Sequence, residues 1–377
     1  MKILIAAGGT GGHVNPALAV AGELRKLSPD IEIAFVGTAD RIESRIVPAA
    51  GYPLRTLEIS GFRRSFSAAA VKQNLRTVAL LLKSTGAVKQ ILREEKPDAV
   101  VGFGGYVSGP VVRTAAKMGI PTAIHEQNAY PGVTNKALAP EVDVVMLTVE
   151  KAKEYLKLKK DPVITGLPVR GELLAADPVR SRAELGFDDK PLVLCMGGSL
   201  GAEAVNRAVV DVIAATWQND AVNYLVSTGQ YGTWVPDELK QRGVPLDGNK
   251  RIEIRTYIDD MDHCLSAADL VVCRAGASSL SEFEALGKPS VLIPSPNVTE
   301  NHQYHNAMAL VERNAARIIE EKDLTGERLL AEIETLLADR EGLAEIGRNA
   351  KEMAHIDAGA QIASIILALA EGKSVSQ

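Results

Sequence analysis

Aromatic side chains are scarce, at 4% of 377 residues. That speaks against a base-stacking platform, and no nucleic-acid partner is expected. Cysteine is scarcer still: Cys195, Cys264 and Cys273 stand at no metal-ligand spacing. Neither a disulfide framework nor a thiolate metal site is expected, and the thiols read as reduced and cytoplasmic. No uncharged apolar run approaches the roughly 18 residues that a spanning helix needs. No secretory leader is expected, because the first apolar run stops at Gly8. Charge is not in large excess either: a net −5 leaves any anionic partner to a local basic patch. Two phosphate-binding fingerprints are missing, since the N-terminal glycines match neither G-x-G-x-x-G nor a loop ending in Gly-Lys-Ser/Thr. That removes a nicotinamide dehydrogenase. No Asp-x-Asp stands at a strand end, since Asp259-Asp260 lacks that context. No metal site and no bound cofactor are expected.

What is present is a soluble globular composition, 46% hydrophobic and 24% charged, long enough for two full cores. The chain opens with Lys2-Ile3-Leu4-Ile5-Ala6, short and apolar as a buried parallel strand should be. Ala7-Gly8-Gly9-Thr10-Gly11-Gly12-His13 follows, then Asn15-Pro16 and Ala17, Leu18, Val20, Ala21 and Leu24 at helical spacing. Pro16 suits the first turn of a helix, where its missing N–H would have no partner. Strand, glycine loop and helix in that order suggest a phosphate cradle, because glycines admit close backbone approach and helix N-termini attract anions. A tight turn without a ligand fits the same residues.

Further strands are expected over 31–36, 54–59, 99–102, 122–125 and 142–147, with helical patterns between them, for example over 17–26 and 111–118. Such alternation implies a parallel sheet covered on both faces. Three strand ends carry polar or glycine-rich loops, Gly8–His13, Gly102–Gly109 and His125–Asn135. Ligands of open α/β sheets bind beyond the carboxyl ends of strands, so these loops are expected to share one cleft. From Gly61 to Arg93 there is no acidic residue. Phe62, Arg63, Phe66, Lys72, Leu75, Arg76 and Lys83 suit an interfacial helix on an anionic membrane surface. An ordinary domain helix with solvated lysines fits the same pattern.

Near Asp161–Arg170 lies a hinge, and Pro191–Met196 then repeats the opening unit with Gly197-Gly198-Ser199-Leu200-Gly201-Ala202 and a helix. Two similar α/β domains are expected, 1–165 and 166–354, facing each other across a cleft. A C-terminal helix, about 355–373, is expected to pack back on the first. In the second half, strands are expected near 223–227, 252–255, 270–273, 290–293 and 316–319. Cys273-Arg274-Ala275-Gly276 opens a helix carrying Ala277, Ser278, Ser279, Leu280, Ser281 and Glu282. A carboxylate one turn into that helix can accept from two ribose hydroxyls, or can simply complement the helix dipole. Gln303, Asn306 and Ala307 fall on one side of a further helix start, where amides suit sugar hydroxyls and Thr299 or Asn301 could cap.

These blocks resemble the MurG family of bacterial N-acetylglucosaminyltransferases, which convert lipid I to lipid II. The likeness is carried by Gly8–His13 with Asn15-Pro16, Gly102-Phe103-Gly104-Gly105-Tyr106, His125-Glu126-Gln127-Asn128, Gly197–Ala202, Arg274–Glu282 and Gln303 with Asn306-Ala307. They stand in order along essentially the whole chain. The resemblance implies the GT-B fold, two Rossmann-like domains. It implies UDP-N-acetylglucosamine as donor, with Ser199 and Arg170 at the diphosphate and the backbone of Ile258 at uracil. Ala277 to Glu282 would hold phosphate and ribose, and Gln303 the sugar. Thr10, Gly11, Gly12 and Asn128 would reach the donor sugar from the first domain. Gly9, Gly104, Gly105 and Tyr106 would cradle the diphosphate of undecaprenyl-linked lipid I. The resemblance further implies a place in peptidoglycan synthesis, cell-wall biogenesis, cell shape and cell division. It implies peripheral attachment to the cytoplasmic face of the cell inner membrane, with other cell-wall or division proteins as further partners.

The implied reaction is direct displacement at the anomeric carbon with inversion, the muramyl 4-hydroxyl attacking and UDP leaving. Leaving-group charge would fall on Arg170, the Gly197–Gly201 turn and the helix start at Gly276. His13 leads as general base, because its ordinary pKa lies near physiological pH. Glu126 is the rival. A UDP-N-acetylglucosamine 2-epimerase of the same architecture, or a non-catalytic nucleotide-sugar-binding subunit, are the alternatives.

Overall fold

The computed structural model describes residues 1–59 and 84–373. The chain divides into two compact units. The first comprises Met1–Pro168 and the chain from His355 on, and the second is Val169–Ala354.

Among the described residues, the first unit holds seven strands: β1 (Lys2–Ala6), β2 (Glu32–Gly37), β3 (Leu54–Thr56), β4 (Ala99–Gly102), β5 (Thr122–Glu126), β6 (Val144–Leu147) and β7 (Val163–Ile164). They pair in the order β3-β2-β1-β4-β5-β6-β7, all parallel. Residues alternate in direction along a strand, so both faces of such a sheet need a cover. Ile3 and Ile5 pack on one side with Val14, Val20 and Leu24 of the helix Gly11–Leu27. Leu4 and Ala6 pack on the other with Val107, Val111 and Val112 of the helix Gly105–Lys117. The C-terminal helix Ala358–Ala370 completes the first face, burying Ile362, Ala363 and Ile366 beside the helix Gly11–Leu27. Each fully buried isoleucine is worth about 1.5–3 kcal/mol of transfer free energy.

The second unit repeats the plan with six strands: β8 (Leu192–Met196), β9 (Asn223–Ser227), β10 (Ile252–Arg255), β11 (Leu270–Cys273), β12 (Ser290–Leu292) and β13 (Arg317–Ile318). Their order is β10-β9-β8-β11-β12-β13, again parallel. Both sheets are Rossmann-like, and each has one switch point, between β1 and β4 and between β8 and β11.

Three details differ from the sequence reading. The expected strand over 54–59 ends at Thr56. The helix after β1 begins at Gly11, so Pro16 lies in its second turn and not its first. Thr10 is extended and its carbonyl accepts from His13 and Val14, which starts the helix early. The two-residue edge strand β7 was not expected. In the basic segment, Phe62, Arg63, Phe66, Lys72, Leu75, Arg76 and Lys83 lie outside the described residues. Residues 84–95 are helical, with Val88, Ile91 and Leu92 buried in the core and Lys89 and Arg93 exposed.

Candidate active site

In the first unit the glycine loops after β1 and β4 meet at the switch point. A Cβ on Gly105 would lie 2.3 Å from the Gly8 carbonyl oxygen, and its φ is +80°. Only glycine lets the two backbones come this close. Gly104, at φ +100°, has no room for a side chain either, because a Cβ would lie 2.7 Å from Cδ2 of His13. The imidazole therefore rests on the Gly104 backbone. Its Nδ1 is 3.1 Å from the Gly8 carbonyl oxygen and 3.3 Å from the Thr10 hydroxyl. A carbonyl can only accept, so Nδ1 carries the proton in the neutral ring and Nε2 carries the lone pair. Gly11 and Gly12 open the helix, where the first N–H groups have no partner within it. Tyr106 is exposed beside Gly105.

Behind the first loop sits Glu43, a fully buried carboxylate. It accepts from the Gly9 N–H at 3.0 Å, the Thr38 N–H at 3.0 Å and the Thr38 hydroxyl at 2.8 Å.

The third loop is organised by Glu126. One carboxylate oxygen accepts from the Asn128 N–H at 2.9 Å and from its side-chain amide at 3.2 Å. The other accepts from the Gly132 N–H at 3.1 Å and the Asn135 amide at 2.8 Å. Four donors on a buried carboxylate give Glu126 the part of a loop scaffold, with both of its oxygens engaged. Asn128, an expected donor-sugar ligand, is thereby fixed in place. His125 is buried, stacks on Phe103 at 5.5 Å and bonds the Gly166 carbonyl through Nε2 at 3.0 Å. Burial pushes its pKa down to about 4. The third loop thus adjoins the second through Phe103.

In the second unit a cavity of about 810 Å³ opens at the carboxyl ends of β8 and β11. Its wall includes Gly197 to Ala202, Gly276, Ser279 and Gln303. Gly198 and Gly201 have φ of +90° and +87°, and a Cβ on Gly201 would lie 2.3 Å from the Thr228 carbonyl oxygen. The glycine loop is therefore braced on the loop after β9. The helix Ala277–Leu286 starts without a side-chain cap, so its first N–H groups are available to an anion. Ser278 is exposed at that start, whereas Leu280 and Ser281 turn inward, and the Leu280 N–H is spent on the Gly276 carbonyl. Ile258 is buried too, and it does not line this cavity. Gln303 accepts from the Ser295 N–H at 2.9 Å, leaving its Nε2 as the donor.

Arg170 and Glu282 are brought together: Nε is 3.1 Å from Oε1. Burial raises the Glu282 carboxyl above its ordinary pKa, and Arg170 pulls it back. Several residues of these sites have roles that the sequence reading did not assign. Arg274 donates to the carbonyls of Ile293 and Pro294 at 3.1 and 3.2 Å and pairs with Glu321, which fixes the loop after β12. Arg207 reaches the cavity wall while paired with Glu203 at 2.7 Å and lying over Trp234. Its spacing from Glu203 reads in sequence as an ordinary exposed helix pair. Glu43 reads as a plain acidic residue at a helix start. Among the described residues, no group of three or more His, Cys, Asp or Glu could hold a metal ion, and no helix is long and apolar enough to cross a membrane.

Residues 3–147 match the family model for the glycosyltransferase family 28 N-terminal domain, and residues 192–362 that for its C-terminal domain. Over 376 residues the chain is 43% identical to the UDP-N-acetylglucosamine–N-acetylmuramyl-(pentapeptide) pyrophosphoryl-undecaprenol N-acetylglucosamine transferase of Acetivibrio thermocellus, covering 99% of this chain and 100% of that one. The crystal structure of Acinetobacter baumannii MurG superposes with a TM-score of 0.77 at 30% identity, covering 97% of this chain and 99% of that one. The UDP-GlcNAc 2-epimerase of Neisseria meningitidis, bound to UDP-GlcNAc, reaches a TM-score of 0.62 at 12% identity over 97% and 100% of the two chains. That last likeness shows the fold alone.

Proposed function

The chain belongs to glycosyltransferase family 28, and from that premise we propose that it transfers N-acetylglucosamine from UDP-N-acetylglucosamine to the muramyl 4-hydroxyl of lipid I. The product is lipid II, and the process is peptidoglycan synthesis. The observation that carries this reading is the 43% identity over 376 residues, 99% of this chain.

Chemically, the acceptor oxygen attacks the anomeric carbon, the bond from that carbon to the UDP oxygen breaks, and configuration inverts. The hydroxyl proton goes to Nε2 of His13, the lone-pair nitrogen when Nδ1 donates to Gly8. Glu126, with its four hydrogen bonds, serves as the scaffold of its loop. The departing diphosphate is met by Arg170, by Ser199 in the Gly197–Gly201 loop and by the open helix start at Ala277, Ser278 and Ser279. These dipoles and one guanidinium supply the charge that a metal would otherwise bring. Glu282 takes the ribose hydroxyls, the Ile258 backbone the uracil, and the Gln303 amide the sugar. Thr10, Gly11, Gly12 and Asn128 are assigned to the donor sugar by family likeness. Gly9, Gly104, Gly105 and Tyr106 are assigned to the acceptor diphosphate. Residues 62–83 dock the enzyme on the anionic cytoplasmic face of the cell membrane, where the acceptor resides. Other cell-wall or division proteins would meet it there, which ties the activity to cell shape and division.

A transfer assay with UDP-N-acetylglucosamine and a lipid I analogue, with and without EDTA, tests this. The expected result is a disaccharide product at the same rate in both. Strict dependence on a divalent cation would overturn the leaving-group account. Consumption of the UDP-sugar without acceptor would instead identify an epimerase, and UDP binding without transfer a non-catalytic subunit.

A further inference from the structure

One peptide group links two side chains that are remote in sequence. The Gly8–Gly9 peptide donates its N–H to Oε2 of Glu43 at 3.0 Å and accepts, at its carbonyl, from Nδ1 of His13 at 3.1 Å. The order along this chain of hydrogen bonds is carboxylate, peptide, imidazole. We propose that Glu43 is a positioning residue for His13, acting through the Gly8–Gly9 peptide to hold the Nδ1–H tautomer and to raise the basicity of Nε2. The proposal rests on the reading of His13 as the general base.

Several features support it. Glu43 has no exposed surface, and the Thr38 N–H and hydroxyl hold its other oxygen at 3.0 and 2.8 Å. Its position is therefore rigid. A Cβ on Gly8 would lie 2.6 Å from Glu43 Oε1, and one on Gly37 would lie 2.6 Å from its Cγ. Glycine at both places lets the carboxylate come up against the peptide. Consecutive hydrogen bonds polarise one another in a low-dielectric setting. A negative charge at the N–H end makes the carbonyl end a stronger acceptor, and a stronger acceptor favours the imidazolium that forms when Nε2 takes a proton. Thr10, Gly8 and Gly104, which touch the ring, do not titrate near neutrality. Glu43 is a charged group joined to the ring through the peptide. No proton leaves Nδ1 in this scheme, so Glu43 stays a carboxylate throughout.

The test combines imidazole nitrogen NMR of the full chain with the pH profile of kcat/KM. In the wild-type protein, neutral His13 is expected to carry its proton on Nδ1; a proton on Nε2 would overturn the proposal without any variant. In Glu43→Gln the His13 titration and the acid limb of kcat/KM are expected to move down together by about half a unit or more. In the same variant kcat falls roughly tenfold, less than the loss of a whole general base would cost, and the KM for UDP-N-acetylglucosamine stays within about twofold. Thr38→Val removes one hydrogen bond from the carboxylate but keeps its charge and its bond to Gly9, so it should leave the acid limb in place. An unshifted His13 titration in Glu43→Gln would sink the proposal even if His13→Ala abolishes transfer. A shifted titration alongside an active His13→Ala would instead sink the reading of His13 as base.

Discussion

The guanidinium of Arg170 lies 3.1 Å from the carboxylate of Glu282, so two residues assigned to the nucleotide neutralise each other. Arg170 is half exposed, and pairs of that kind contribute little to stability, about 0–1 kcal/mol. The pair is better understood as a preset for the ligand. The diphosphate would take the guanidinium and the ribose hydroxyls would donate to the carboxylate, so each partner keeps a hydrogen bond in the bound state.

Glu282→Gln is accordingly expected to change the melting temperature by only a few degrees, because the raised carboxyl was costly to bury. It should raise the KM for UDP-N-acetylglucosamine by about tenfold or more, as losing a charged hydrogen bond implies, while the acceptor KM stays nearly constant. Steady-state kinetics with both substrates varied decides it. An unchanged donor KM would remove Glu282 from the ribose site.

Gly104 and Gly105 separate a chemical effect from a structural one. A methyl on Gly104 would meet the His13 ring at 2.7 Å, whereas one on Gly105 would meet the Gly8 carbonyl at 2.3 Å. A side chain can yield and a backbone cannot. Gly104→Ala should therefore fold, lower kcat by about tenfold or more through a displaced base, and raise the acceptor KM more than the donor KM. Both variants should lose roughly 1–3 kcal/mol of stability from positive φ, and Gly105→Ala should lose more, because its clash is with backbone. Thermal unfolding beside kinetics of the two variants distinguishes them, and a donor-specific KM defect in Gly104→Ala would contradict the assignment of that loop to the acceptor.

Much of this arrangement was legible in the sequence because parallel strands buried on both faces are short apolar runs, and because glycine loops at their ends mark ligand-facing turns. β1, β4, β8 and β11 are of this kind. What stayed hidden had two physical causes. The helices Gly11–Leu27 and Gly105–Lys117 begin inside glycine loops and contain Pro16 and Pro110, residues that disfavour helix interiors, so their first turns read as loop. Glu43 and Arg274 act on backbone that no local pattern connects to them. Glu43 is 34 residues from Gly9, and Arg274 is 19 and 20 residues from the carbonyls it holds.

His125 makes an acid-side prediction. Folded, its pKa is pushed down to about 4 by burial, whereas an unfolded chain binds the proton near pH 6.5. Between those values the unfolded state holds more protons, so the contribution is intact above pH 6.5 and is lost as the pH falls toward 4. It amounts to about 3 kcal/mol. Urea midpoints of wild type and His125→Gln at pH 7 and pH 4.5 measure it. The wild-type midpoint should drop more steeply than the variant's, and equal slopes would mean that His125 is protonated in the fold.

Glu284 predicts the opposite slope. It is buried in the helix that carries Glu282, and burial pushes its carboxyl up to about 8. An unfolded chain ionises this group near its ordinary value of 4.5. As pH rises from there toward 8 the folded state keeps a proton that the unfolded state has released, so folding weakens across that window. Glutamine has nearly the same shape and no charge to desolvate. Glu284→Gln should thus leave stability near its wild-type value at about pH 4.5, and increase it by a few kcal/mol at pH 8, the cost of desolvating one carboxylate. Denaturant melts at the two pH values give the comparison. A variant less stable at pH 8 would show instead that the carboxylate has a favourable role in the fold, and Glu284 would then belong with the residues that shape the nucleotide site.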